Sequence, residues 1–177
     1  MSLTNIDGQP IPNPNTYTAV GALCIDAILR RELFHSQTPG IQDVLLNLPE
    51  TEFQTFMSLA SKGPGNPPES DYAAVGMFYC RKPPCPFAIP NIETVLGAAI
   101  LDDGFRAAWF NDPHQAHVDY GFDLTENEDV IIVTHLGQYK KPLREKIEVL
   151  GGKLKAILGL RPLVTTSAVA MKATVAA

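Results

Sequence analysis

The sequence is poor in cysteine, with 3 in 177 residues, and an odd count supplies no disulfide framework. It has no basic surplus either: 14 Lys and Arg stand against 19 Asp and Glu, a net charge of -5 at a pI near 5.3. A nucleic-acid partner is therefore not expected, because nothing is available in excess to displace phosphate counterions. No stretch approaches the roughly 18 apolar residues that a bilayer span needs. The opening Met1–Asn15 has neither a basic start nor an apolar centre, so no secretory signal is read. The default compartment is the cytoplasm, with export left open. Also missing are the Gly-x-Ser-x-Gly turn, the Gly-x-x-x-x-Gly-Lys loop and the Gly-x-Gly-x-x-Gly fingerprint. Without them no catalytic, cofactor-binding or metal residue is nominated, and the expectation is a non-enzyme without a cofactor.

What is present suits a packed body, with 45% apolar and 19% charged residues. Shifting the chain by 76 positions sets residues 19–52 on 95–128 without a gap, and 9 of the 34 aligned positions are identical. Gly21, Ala22, Asp26, Arg30, Phe34, Asp43, Leu48, Glu50 and Glu52 fall on Gly97, Ala98, Asp102, Arg106, Phe110, Asp119, Leu124, Glu126 and Glu128. The apolar positions Ala22, Ile25, Leu29 and Leu33 stay in phase with Ala98, Leu101, Phe105 and Trp109. Steps of three and four place each set on one helical face. The expected fold is mainly α: two tandem copies of a small helical unit, a Pro/Gly-rich connection and one or two short strands.

The chain divides into an N-terminal extension (1–18), repeat 1 (19–60), a linker (61–90), repeat 2 (91–136), an amphipathic helical segment (137–162) and a tail (163–177). In each repeat a helix of about 15 residues is expected first. It ends near Ser36–Gly40 in one copy and Asn111–Pro113 in the other. Asp112-Pro113 suits the start of a second helix, as cap and first helical residue, and Gly121 suits its end. Pro49-Glu50 would open a third helix in repeat 1, carrying Phe53, Phe56, Met57 and Ala60. In repeat 2, Thr125–Glu128 resembles a capping box, but the β-branched run Asp129–His135 favours a strand. Proline density in 61–90 argues against regular helix there, although Ala73–Tyr79 is apolar enough to pack on the core. Gly151-Gly152 should interrupt the helix that begins near Lys141. Its basic residues, Lys140 to Lys155 with Arg161, read as a solvated face.

A few side chains could carry chemistry. Cys80 and Cys85 flank a stiff Arg-Lys-Pro-Pro loop where a disulfide is sterically conceivable, although a reducing cytosol would keep both as thiols. Cys24, in an apolar helix, reads as a small buried hydrophobe. His114 and His117, three apart and completed by Asp119 or His135, could share a metal; two surface histidines are the preferred reading. Asp26/Arg30 and Asp102/Arg106 are expected to form i,i+4 ion pairs rather than a catalytic carboxylate pair. Trp109 and Phe110 read as core.

Ile100–Glu128 carries Phe-Arg, a few apolar residues, Asp-Pro, then Tyr-Gly and Leu before an acidic start. This pattern resembles leader regions of ribosomally made, post-translationally modified peptides, notably those similar to the nitrile hydratase α subunit. It is also similar to the small helical subunit of protocatechuate 4,5-dioxygenase. The resemblance implies a protein partner rather than a reaction, since no cysteine-rich metal claw accompanies it. Leader regions are read by an enzyme that modifies a following segment; here 163–177 holds that place, with Thr165, Thr166, Ser167 and Thr174 as possible targets. The duplication and the helical segment before the tail depart from that pattern. The expected function is a precursor-like recognition protein bound by a partner. The alternative is a self-assembling subunit, an oligomer or filament, whose tail or linker joins its neighbours.

Overall fold

A computed structural model describes residues 14–36, 66–79, 85–158, 162, 163 and 165. It is mainly helical. Among the described residues the elements are α1 (Pro14–Ile25), α2 (Ala27–Arg31), a π-helical turn (Glu32–Ser36), α3 (Glu69–Gly76), α4 (Pro90–Leu101), α5 (Asp103–Asn111), α6 (Pro113–Asp119) and α7 (Glu126–Leu158). The expected third helix of repeat 1 lies outside these residues.

The centre is the crossing of α1 and α4. Both are rich in small and apolar residues, and Ile92–Leu101 is buried throughout, Glu93 and Thr94 included. Such a helix belongs inside a bundle. Small residues let the two backbones touch: a Cβ on Gly21 would lie 1.8 Å from the Glu93 carbonyl oxygen, and one on Gly97 would lie 1.7 Å from that of Tyr17. As the index rises in one helix it falls in the other, so the pair runs antiparallel. Between these contacts Thr18 Oγ1 meets Thr94 Oγ1 at 2.6 Å, joining positions 76 apart.

α3 and α7 cross this pair in matched ways. A Cβ on Gly76 would stand 1.9 Å from the Cys24 carbonyl oxygen, and one on Gly151 2.1 Å from that of Ile100. Gly151 is therefore a crossing point rather than the expected break, and α7 runs unbroken through Gly151-Gly152. The Pro/Gly-rich stretch also contains helix, contrary to its composition. The reason is placement: Pro67 and Pro68 precede α3, Pro83 and Pro84 come after it, and the residues between are free of proline. Tyr72, Val75 and Tyr79 from this stretch join the core.

The strand expected over Asp129–His135 is the first part of α7, and no strand occurs among the described residues. β-Branched residues carry only a modest helical penalty. Against it stands a buried stripe, Ile132, His135, Leu136, Leu143, Ile147, Leu150 and Leu154, that exists only if the segment is helical. Each fully buried Leu or Ile contributes roughly 1.5–3 kcal/mol, so tertiary burial decides the outcome. Thr125 opens the helix by accepting from the Glu128 amide at 3.2 Å, and Glu126, Glu128 and Asp129 complement its dipole. Pro142 leaves the Gln138 carbonyl without its helical donor, on an exposed face where water can replace it.

α6 begins and ends as its sequence requires. Asp112 caps it by accepting from the Gln115 amide at 3.1 Å, with Pro113 in the first turn. Gly121, at φ 74°, then turns the chain through the left-handed region. Phe105, Trp109 and Phe110 are buried, with Phe105 4.8 Å from Phe122 and 5.2 Å from Tyr120 between ring centroids.

Candidate functional site

Asp102 occupies the bend between α4 and α5. Asp26 occupies the corresponding bend between α1 and α2. Neither forms the i,i+4 ion pair that its spacing suggests; each caps the next helix. Asp26 Oδ1 accepts from the amides of Ile28 and Leu29, both at 3.0 Å, and Asp102 Oδ1 from that of Phe105 at 2.7 Å. The arginines turn the other way. Arg30 donates to the carbonyls of Leu23 and Cys24, both at 2.9 Å, and Arg106 to those of Ala99 and Ile100 at 3.3 and 3.0 Å. Each bend breaks a helical hydrogen-bond ladder, and this Asp–Arg couple satisfies orphan groups on both sides of the break. That leaves Arg106 free to meet Asp103 as well, and Lys155 reaches the same carboxylate from α7. The Lys155 hydrogen bond is the main reason the Asp103 carboxyl lies below its ordinary value.

The two bends differ in what lies beside them. Asp102 is buried, and its second oxygen accepts from the backbone amide of Leu163 at 2.7 Å. Tyr17 stands near it, its phenol pushed up to about 12 by burial and then by the charge of Asp102. Beside Asp26 the position of Tyr17 is taken by Glu93. Burial and the charge of Asp26 raise the Glu93 carboxyl to about 7.

Asp102 thus ties the first residue of the 163–177 segment to the helical body. The Leu163 side chain packs, partly buried, against the core. A buried carboxylate left with an unsatisfied oxygen is costly, and a charge-assisted bond to an amide is worth roughly 1.5–3 kcal/mol. Of the possible modification targets, Thr165 lies among the described residues and is partly buried; Thr166, Ser167 and Thr174 lie outside them. Cys85 is disulfide-bonded, whereas Cys80, its expected partner, lies outside the described residues. Cys24 is free and fully buried, with its thiol pushed up by desolvation.

The histidines do not gather as the metal alternative would require. His114 and His117 do converge, but on Asp129, at 2.8 and 2.6 Å. Asp119 instead accepts from Gln115 at 2.7 Å. His135 is elsewhere on α7, stacked 4.3 Å from Tyr79 and bonded through Nε2 to the Phe78 carbonyl at 2.6 Å. Burial lowers its proton affinity, while that carbonyl opposes the effect. Among the described residues no three His, Cys, Asp or Glu side chains are placed to hold a metal ion. His117, expected at the surface, is buried. Asp129 was not among the candidate residues, because the segment it opens was expected to be a strand rather than the first turn of α7.

No protein family, curated protein or solved structure matches this chain. Among the described residues no helix is long and apolar enough to cross a membrane.

Proposed function

We propose that the protein is a precursor-like recognition protein, with a helical body bound by a protein partner and a 163–177 segment presented for modification. The observation that carries this reading is the bond from the Leu163 amide to Asp102. It holds Leu163, the root of the segment, against the bend between α4 and α5. Thr165, Thr166, Ser167 and Thr174 follow that anchor in the chain and are the proposed targets of a partner that grips the body.

The body itself reads as a tandem duplication. Its support is the matched pairs at a spacing of 76: Thr18 on Thr94, Gly21 against Glu93 and Gly97 against Tyr17, and the two Asp–Arg bends. Two related units packed about a near-two-fold crossing bury one another's apolar helix, which neither could leave in water. The disulfide at Cys85 supports an oxidising compartment, and so the export alternative rather than the cytosolic default.

A second reading, self-association, is favoured by large apolar side chains left in water: Ile28 is 75% exposed, and Val118 and Val130 are each more than half exposed. Mass spectrometry of protein from its native source tests the first reading. Added or lost mass confined to 163–177 is the expected result. An unmodified chain that runs as a large assembly in light scattering would overturn it and establish the second.

A further inference from the structure

Trp109 is the single tryptophan of the chain, and it is buried with its indole N–H donated to His117 Nε2 at 2.9 Å. An indole N–H only donates, so His117 Nε2 carries a lone pair and the ring proton sits on Nδ1. That proton is donated to Asp129 Oδ1 at 2.6 Å, while Asp129 Oδ2 is held by His114 at 2.8 Å. Three helices, α5, α6 and α7, therefore meet through one neutral histidine in one tautomer.

We propose that this corner is an acid-sensitive latch: a proton added at His117 Nε2 sets two N–H donors face to face and releases Trp109 from α6. The groups facing His117 are Trp109 from α5, His114 from its own α6 and Asp129 from α7. Asp129 favours the imidazolium. His114 is exposed and repels it once charged. Burial outweighs the attraction, and His117 holds its proton less firmly than an ordinary histidine. The same ring cannot serve as a general base in the closed state, since the nitrogen that would accept a proton is covered by the indole. α6 is the element that gives way, because it is short and ends at the Gly121 turn. The latch does not depend on the proposed role of the 163–177 segment.

The test is an acid titration of the whole chain from about pH 8 to about pH 4.5, read by Trp109 emission, its indole N–H resonance and the far-ultraviolet helix signal. The expected result is one transition in emission and indole shift, with its midpoint below 6.5 and the helix signal retained. His117→Gln keeps an amide oxygen for the indole and cannot titrate, so its trace should be flat. His114→Gln should keep the transition and raise its midpoint. An indole resonance that does not move, a His117→Gln protein that titrates like the wild type, or loss of helix at the same midpoint would each overturn the proposal. Should His117→Gln fail to fold, the His117 ring carbons of the wild type decide it. A midpoint shared with the indole supports the latch, and separate midpoints refute it.

Discussion

The bends at Asp26 and Asp102 are built alike and differ, among the described residues, in what lies beside them. In both, aspartate caps the helix ahead and arginine covers the carbonyls behind. At Asp102, however, the carboxylate's second oxygen is engaged by Leu163, and a phenol is the buried neighbour. At Asp26 the buried neighbour is a carboxyl, Glu93. Shared local chemistry thus makes the bend, while the groups beside the two carboxylates differ.

The largest expected effect falls on what the two halves share. Gly21→Ala and Gly97→Ala each drive a Cβ into a backbone carbonyl, which unlike a side chain cannot swing aside. Each should cost about 3 kcal/mol or more in denaturant unfolding. Gly152→Ala, with nothing within 4 Å of its Cβ, should instead gain about 0.5–1 kcal/mol. Equal behaviour of Gly97→Ala and Gly152→Ala would mean that α1 and α4 do not cross at backbone contact.

Next come the arginines. Arg30→Met and Arg106→Met keep the stem but uncover two carbonyls each, and both should lose roughly 1–3 kcal/mol. Arg106 also meets Asp103, in the i,i+3 ion pair that the sequence did not suggest, so its variant should lose the more. A loss confined to one of the two would break the likeness of the bends.

Glu93 sharpens the difference. Its folded-state affinity for a proton is raised above the unfolded value of 4.5, so between about 4.5 and about 7 the folded chain binds more protons than the unfolded chain. Stability contributed by this group is therefore present at low pH and falls as pH rises through that window. Glu93→Gln should remove the fall, gaining on the order of 2 kcal/mol at pH 8 and little at pH 4, as thermal unfolding at the two values would show. His117 acts in the opposite sense, losing stability as pH drops below 6.5.

The smallest effect is the most diagnostic for the tail. Asp102→Asn can keep its cap through the amide oxygen, but its nitrogen cannot accept from the Leu163 amide. Hydrogen exchange at Leu163 should speed up about tenfold, equivalent to about 1.4 kcal/mol, with little change in global stability. Asp26→Asn should leave that amide untouched. Protection of Leu163 that survives Asp102→Asn would remove the observation on which the tail reading stands.

Much of the helical plan could be read beforehand. Pro113 and Asp112 set the start of α6, Gly121 its end, and the stripe Leu101, Phe105 and Trp109 announced a buried face. The Asp–Arg spacing was visible too, but its meaning was not. Four residues apart on one helix is an ion pair, whereas four residues apart across a bend is a cap and a plug. The spacing cannot reveal that a bend falls between the two residues, with the aspartate capping the next helix and the arginine covering the carbonyls behind it. Thr18 and Thr94 share the interval of 76 but lie just outside the aligned window. The Trp109–His117–Asp129 contact needed α7 to be helical, which local propensity opposed.

By itself, then, the order of residues determined where helices can begin and stop and which of their faces shun water, because capping, proline geometry and apolar periodicity act within a few residues. The tertiary structure alone decided that 129–135 joins a helix, that Gly151 is a crossing rather than a break, and that Asp102 accepts from the distant Leu163 amide. Those outcomes depend on what is buried against what, and burial is a property of segments far apart in the chain.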